Sequence, residues 1–239
     1  MKRFLWGLIA LCLLCLTACK GMTVPTPKPT AATPEEKHLS VPLLCQYPEL
    51  PTGCEATAAA MVLQYYGDTV TPAVFAADWL PRSEAFYTKN GVQHGPDPAR
   101  FFAGDPFSAY AYGCFAPVIV TAVQEHSTRC TAFAVTGHTL AQLCREYLDR
   151  DKPLLIWATM GMQPKKRGNR WQLPDGSSFT WPAGEHCLVL VGYTADSYCF
   201  NDPQTGAVVR YAKALCETRF AELGQQAVCI ESSTGQADG

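Results

Sequence analysis

The chain has no surplus of positive charge. Nineteen Lys and Arg stand against 21 Asp and Glu, a formal net charge of −2 over 239 residues. Its tightest basic run, Lys165 to Arg167, is short enough to read as a solvated loop. Nucleic-acid binding, which needs Lys and Arg gathered on one face, is therefore not expected. Zinc-ligand spacing is missing too. The one Cys-x-x-Cys, Cys12 to Cys15, falls inside an apolar N-terminal run, and no Cys/His cluster elsewhere has the spacing of a metal site. Neither metal nor organic cofactor is expected. No internal repeat is visible, and no second apolar run long enough to span a bilayer follows the first.

What is present begins with that first run. Lys2 and Arg3 precede Phe4 to Leu16, and Thr17, Ala18 and Cys19 follow. A basic start, a short apolar stretch and small residues at its end describe an export signal rather than a membrane span. Leu16-Thr17-Ala18-Cys19 resembles a bacterial lipobox, which implies a signal peptide over 1–18, lipidation of the Cys19 thiol and attachment to a membrane surface through buried acyl chains. The expected location is the bacterial cell envelope, on its extracytoplasmic side. Residues 19–39 are rich in Pro and Thr and poor in large apolar side chains, so they are expected to form a disordered tether. Residues 40–231 are near the size of one domain, with 232–239 as a tail, and a monomer is expected.

Twelve cysteines are present. Apart from Cys12, Cys15, Cys19 and Cys54, the remaining Cys45, Cys114, Cys130, Cys144, Cys187, Cys199, Cys216 and Cys229 are free to pair in an exported chain, in a connectivity that spacing does not define.

The stretch Gln46 to Gly67 (QYPELPTGCEATAAAMVLQYYG) organises the rest. Pro48, Pro51 and Gly53 give way at Cys54 to a strong helix-forming run whose Ala56, Ala59, Ala60 and Leu63 share one face. Gly53 is expected to supply the backbone freedom for a sharp entry. The N–H groups and positive dipole end of the helix are expected to stabilise a Cys54 thiolate, the reactive form of cysteine. Further helices are expected at Thr71–Leu80, Pro117–Thr128, Thr139–Arg150 and Leu215–Leu223. Residues 81–116, rich in Gly, Pro and aromatics, show neither helical nor strand periodicity and are expected to line or cover a site. Strands are expected at 131–135, 153–159, in a hairpin over 171–181, at His186–Tyr193, Tyr198–Asp202 and Val208–Tyr211, with Ala227–Ile230 as a last edge strand. Helices first and an antiparallel sheet afterwards make an α+β domain.

A thiol nucleophile needs a base and a group that orients the base. His186 opens one apolar strand and Asp202 closes the next, so antiparallel pairing sets the two side by side. The Cys54 backbone N–H and the Gln46 side-chain amide are candidate oxyanion donors. The order Gln46…Leu-Pro-Thr-Gly-Cys54-Glu, then Gly-Glu-His186-Cys-Leu-Val-Leu-Val-Gly-Tyr, then Phe-Asn-Asp202-Pro resembles papain-like cysteine peptidases, in particular stand-alone relatives of the double-glycine leader peptidases of bacteriocin exporters. The resemblance covers about Val41 to Ile230. It implies a papain-like fold, with nucleophile Cys54, general base and acid His186, orienting residue Asp202 and oxyanion donor Gln46, acting on a peptide or protein substrate. The resemblance leaves Asn201 as an alternative to Asp202, since papain-like triads also use Asn; adjacent strand residues face opposite ways, so one alone can serve. Glu185 is expected to be a rim charge, and Glu55 to complement the helix dipole. Acyl or peptidyl transfer by the same residues, or a catalytically silent surface binding module, are the alternatives.

Overall fold

The structure, a computed structural model, describes residues 36–233. The expected signal peptide and Cys19 lie outside these residues, as do most of the tether and tail. In chain order the elements are β1 (Lys37–His38), α1 (Cys54–Tyr65), α2 (Pro72–Val74), β2 (Arg82–Ser83), β3 (Tyr87–Lys89), β4 (Val92–His94), β5 (Phe102–Ala103), α3 (Ala116–His126), β6 (Cys130–Ala134), α4 (Leu140–Glu146), β7 (Leu154–Thr159), β8 (Lys166–Gln172), β9 (Ser178–Ala183), β10 (Glu185–Tyr193), β11 (Ser197–Asp202), β12 (Ala207–Ala212), α5 (Lys213–Glu222) and β13 (Ala227–Ser232). Among the described residues no helix is long and apolar enough to cross a membrane.

Side chains at the helix starts explain where the helices begin. Thr139 accepts the Gln142 N–H at 3.2 Å while Gln142 accepts the Thr139 N–H at 2.8 Å, a reciprocal cap for α4. Thr71 accepts the Val74 N–H ahead of Pro72, and the chain then continues from α2 into a π turn over Phe75–Trp79. The central α1 is buried from Cys54 through Leu63. It packs across β10 and β7, which explains a sequence apolar nearly all round rather than along one stripe.

The main sheet is antiparallel, in the order β12-β11-β10-β7-β13-β6, with β1 added to β10. β7 and β10 are buried at every position, so they read as continuous apolar runs instead of alternating ones. Two expectations are corrected here. Ala227–Ile230 is not an edge: β13 lies between β7 and β6, with those four residues all buried, and β6 and β12 are the outer strands. Lys37 and His38 do not belong to the tether but pair with Tyr193 and Gly192, and Leu39 donates to the Val191 carbonyl at 2.8 Å. Glycine at 192 permits this, because a Cβ there would lie 2.5 Å from the Lys37 carbonyl oxygen.

Residues 81–116 are likewise less irregular than expected. They hold β2 to β5, strands of two or three residues in which no period can show. β3 and β4 join β8 and β9 in a second, four-stranded sheet, so Lys166 and Arg167 begin an exposed strand rather than a loop. Trp171 and Trp181 of this sheet pack with Phe86, Tyr112, Phe115 and Phe179 in an aromatic cluster separate from the main core.

Candidate active site

Cys54 is the first residue of α1, and backbone bonds fix the approach to it. The Gln46 N–H donates to Pro203 O at 2.9 Å, Leu50 N–H to Gln46 O at 2.7 Å and Gly53 N–H to Leu50 O at 3.0 Å. Gly53 has φ −99°, a value open to any residue, so the expected need for backbone freedom is not what selects glycine there. Space is: a Cβ would lie 2.7 Å from that of Leu50. Thr52 donates to Ser108 O at 2.9 Å, which ties the long loop before α3 to the wall beside Cys54.

His186 and Asp202 arrive from the paired strands β10 and β11. Their register, Val189 opposite Asn201, leaves the His186 ring diagonal to the Asp202 carboxylate, and Nε2 meets Oδ1 at 2.7 Å. Burial pushes the Asp202 carboxyl upward, but the hydrogen bond and charge of His186, together with hydrogen bonds from the Gln204 N–H and Thr205, outweigh it and hold the group below its ordinary value. Asn201 faces the other way and donates to the Val41 and Pro42 carbonyls at 3.1 and 3.2 Å, so Asp202, not Asn201, partners the histidine. The second ring nitrogen of His186, Nδ1, is buried and makes no hydrogen bond. Gln46 is buried, and its Nε2 donates to Pro51 O at 2.9 Å. Gln46, Cys54 and His186 line a single cavity of about 560 Å3, closed in part by Trp181, Gly184 and Gln204. A neighbouring cavity of about 640 Å3, bounded by Phe86, Tyr110 and Trp171, shares Ala111, Tyr112 and Asn169 with it.

The thiol itself departs from expectation. Burial, then Glu55 and Glu185, push it well above the ordinary cysteine value, and the Cys187 backbone N–H offsets only part of this. The helix start therefore does not leave a free thiolate in this arrangement: Cys54 Sγ donates to Glu55 Oε2 at 3.2 Å. Glu55 Oε1 accepts the Cys114 N–H at 2.6 Å, and Trp157 Nε1 pins the Cys114 carbonyl at 2.8 Å. Glu55 is fully buried, which is more than a dipole-complementing surface acid would be, and burial raises its carboxyl to about 7.

Glu185 is no rim charge either. It is 4% exposed, its Oε1 has no hydrogen-bond partner, and its carboxyl is raised by burial and by Glu55. Cys54 Sγ and one oxygen from each acid lie within 4.8 Å of one another, the one such trio of His, Cys, Asp or Glu among the described residues. One thiol with two carboxylates and no histidine is not a structural zinc set. The sequence does carry a signal for these acids. Glu55 is the lone charge in CEATAAAMVL, and Glu185 directly precedes a continuous apolar strand.

All nine described cysteines are free thiols, and all but Cys45 are buried. His94 and His138 are half-buried and His126 exposed, each apart from the cavity that holds Cys54.

Comparison with known proteins gives one consistent result. The model of the Peptidase_C39 like family matches residues 38–228. The uncharacterized protein YvpB of Bacillus subtilis (strain 168) is 25% identical over 185 residues, covering 77% of this chain and 71% of that one. A Bacillus anthracis crystal structure, of a protein proposed to be a C39-like peptidase, superposes with a TM-score of 0.72 at 25% identity, covering 83% of this chain and 98% of that one.

Proposed function

This chain belongs to the Peptidase_C39 like family, a membership that points to a cysteine peptidase, and from it we propose an exported, lipid-anchored thiol hydrolase that cleaves peptide or other amide bonds. The observation that carries this reading is the cavity shared by Cys54, His186 and Gln46, with Asp202 bonded behind the histidine. In the proposed sequence Cys54 gives its proton to His186 Nδ1, the ring nitrogen left without a partner, and the sulfur attacks the substrate carbonyl. Asp202 holds Nε2–H and balances the imidazolium.

The tetrahedral oxyanion is received by the Cys54 backbone N–H, unpaired as helix-start donors are, and by the Gln46 amide, which has one hydrogen beyond that given to Pro51. Collapse breaks the C–N bond, the amine leaves with the His186 proton, and a thioester remains on Cys54. Water deprotonated by His186 then releases the acid. An amine in place of water would give transfer instead, with the same residues. The adjoining cavity bounded by Phe86, Tyr110 and Trp171 supplies substrate subsites.

The test is turnover of a mixed peptide pool, read by mass spectrometry, with wild type and C54A. Cleavage products that require Cys54 support the hydrolase; an unchanged pool, with ligands retained equally by both proteins, supports a silent binding module. Lipid anchoring is tested by fractionation: C19S is expected in the soluble fraction, and its retention with membranes would refute the anchor.

A further inference from the structure

The mechanism above makes no use of Glu55 or Glu185, the two buried acids beside the nucleophile. We propose that they share one proton next to Cys54 and that Glu55 gates the thiol. Ionised, Glu55 accepts the S–H and holds the thiol idle; protonated, it donates its own O–H to the thiolate formed with His186. The proposal rests on the hydrolase reading and adds a third partner for the sulfur.

Geometry carries it. Glu55 Oε2 is 3.2 Å from Sγ, so the hydrogen bond that would prepare catalysis is made to the acid while His186 Nδ1 has no partner. The two carboxylates converge: a Cβ placed on Gly113 would lie 2.5 Å from Glu55 Oε1 and 3.1 Å from Glu185 Oε2, and the missing side chain leaves room for both. Among the described residues no Lys, Arg or His forms an ion pair with either acid. Two carboxylates this close and this dry resist ionising together, so the pair keeps one proton over a range where a solvated Glu has lost it. The other titratable groups facing it are neutral thiols, Cys114 from the loop before α3 and Cys187 from β10, together with His186, itself bonded to Asp202.

Protons balance throughout. In the idle state the sulfur carries its hydrogen and Glu55 is a carboxylate. Taking up one proton from solvent makes Glu55 a carboxylic acid. Cys54 then transfers its hydrogen to His186 Nδ1, and the Glu55 O–H turns to the sulfur. One added proton thus releases the thiol, and a negative charge no longer opposes the thiolate.

The experiment is the pH profile of Cys54 alkylation by iodoacetamide, located by peptide mapping, between pH 5 and 9 in wild type, E55Q, E185Q and H186A, each checked by circular dichroism. Gln keeps the shape and the carbonyl that receives the Cys114 N–H but cannot ionise. E55Q is expected to alkylate about tenfold faster than wild type at pH 8.5, the effect of lowering the thiol by roughly one pH unit, with its profile extended toward alkaline pH. E185Q is expected to move the wild-type midpoint downward, because Glu55 then ionises without a charged neighbour. Wild-type profiles in both Gln variants would overturn the proposal. H186A reports separately on the hydrolase reading: loss of reactivity below pH 7 upholds it, and an unchanged H186A profile defeats it whatever the Gln variants do. Should E55Q fail to fold, the E185Q midpoint decides.

Discussion

Each polar residue of the site is defined by what its neighbours leave unsatisfied. Asp202 and Glu55, both buried acids, go opposite ways: a histidine at 2.7 Å holds the first ionised, while the second faces a thiol and another acid and keeps its proton up to about 7. The consequences for stability have opposite signs. Asp202 binds its proton less tightly folded than unfolded, so its contribution is present above the ordinary Asp value and lost as pH falls through the lowered one. Glu55 binds its proton more tightly folded, so stability should decline as pH rises from about 4.5 to about 7. The decline should be on the order of 1–3 kcal/mol. Urea midpoints between pH 4.5 and 7.5 should fall for wild type and fall less steeply for E55Q, where Glu185 is the raised acid that remains; a wild-type midpoint that rises across this window would contradict the assignment.

Cys54, His186, Asp202 and Gln46 stand out in the sequence because their types and order match a known chemistry, and the fold sets Cys54, His186 and Gln46 around one cavity with Asp202 bonded to His186. Sequence reading misjudged Glu55 and Glu185 because an acid is read as solvated unless burial is known. Burial here comes from β10, β7 and the Cys114 segment, none of which lies near Glu55 in the chain.

At the level of elements, local signals were the legible ones. The Thr139 and Thr71 caps, the helix from Cys54 and the apolar runs of β7 and β10 all stand where capping chemistry and patterning put them. Pairing order was not legible, because β13 joins β7 and β6 across long separations that no local residue encodes. Nor were β2 to β5, too short to carry a period. The role of Gly53 also belongs to this scale: the tight Leu50–Gly53 turn sets the position of the first residue of α1. A methyl group at 53 must displace Leu50, so G53A should unfold about 1–3 kcal/mol more easily and lose most activity even well below its melting temperature. Activity retained in proportion to the folded fraction would show that the turn positions nothing.

Across the whole molecule, two sheets and one helix divide the work. The main sheet fixes His186 and Asp202, α1 presents Cys54 against it, and the small aromatic sheet with the 81–116 segment walls the adjoining cavities. The Peptidase_C39 like match spans the parts that bring these residues together, from residue 38 to 228. On the proposed reading, this assembly makes one of the nine described cysteines a nucleophile, and only through His186. The most direct measurement is labelling of the folded, reduced protein with a peptidyl chloromethyl ketone, read by intact mass and peptide mapping in wild type and H186A. One adduct on Cys54 in wild type, absent from H186A, is the predicted result. Labelling confined to the exposed Cys45, or equal labelling of Cys54 in both proteins, would contradict it.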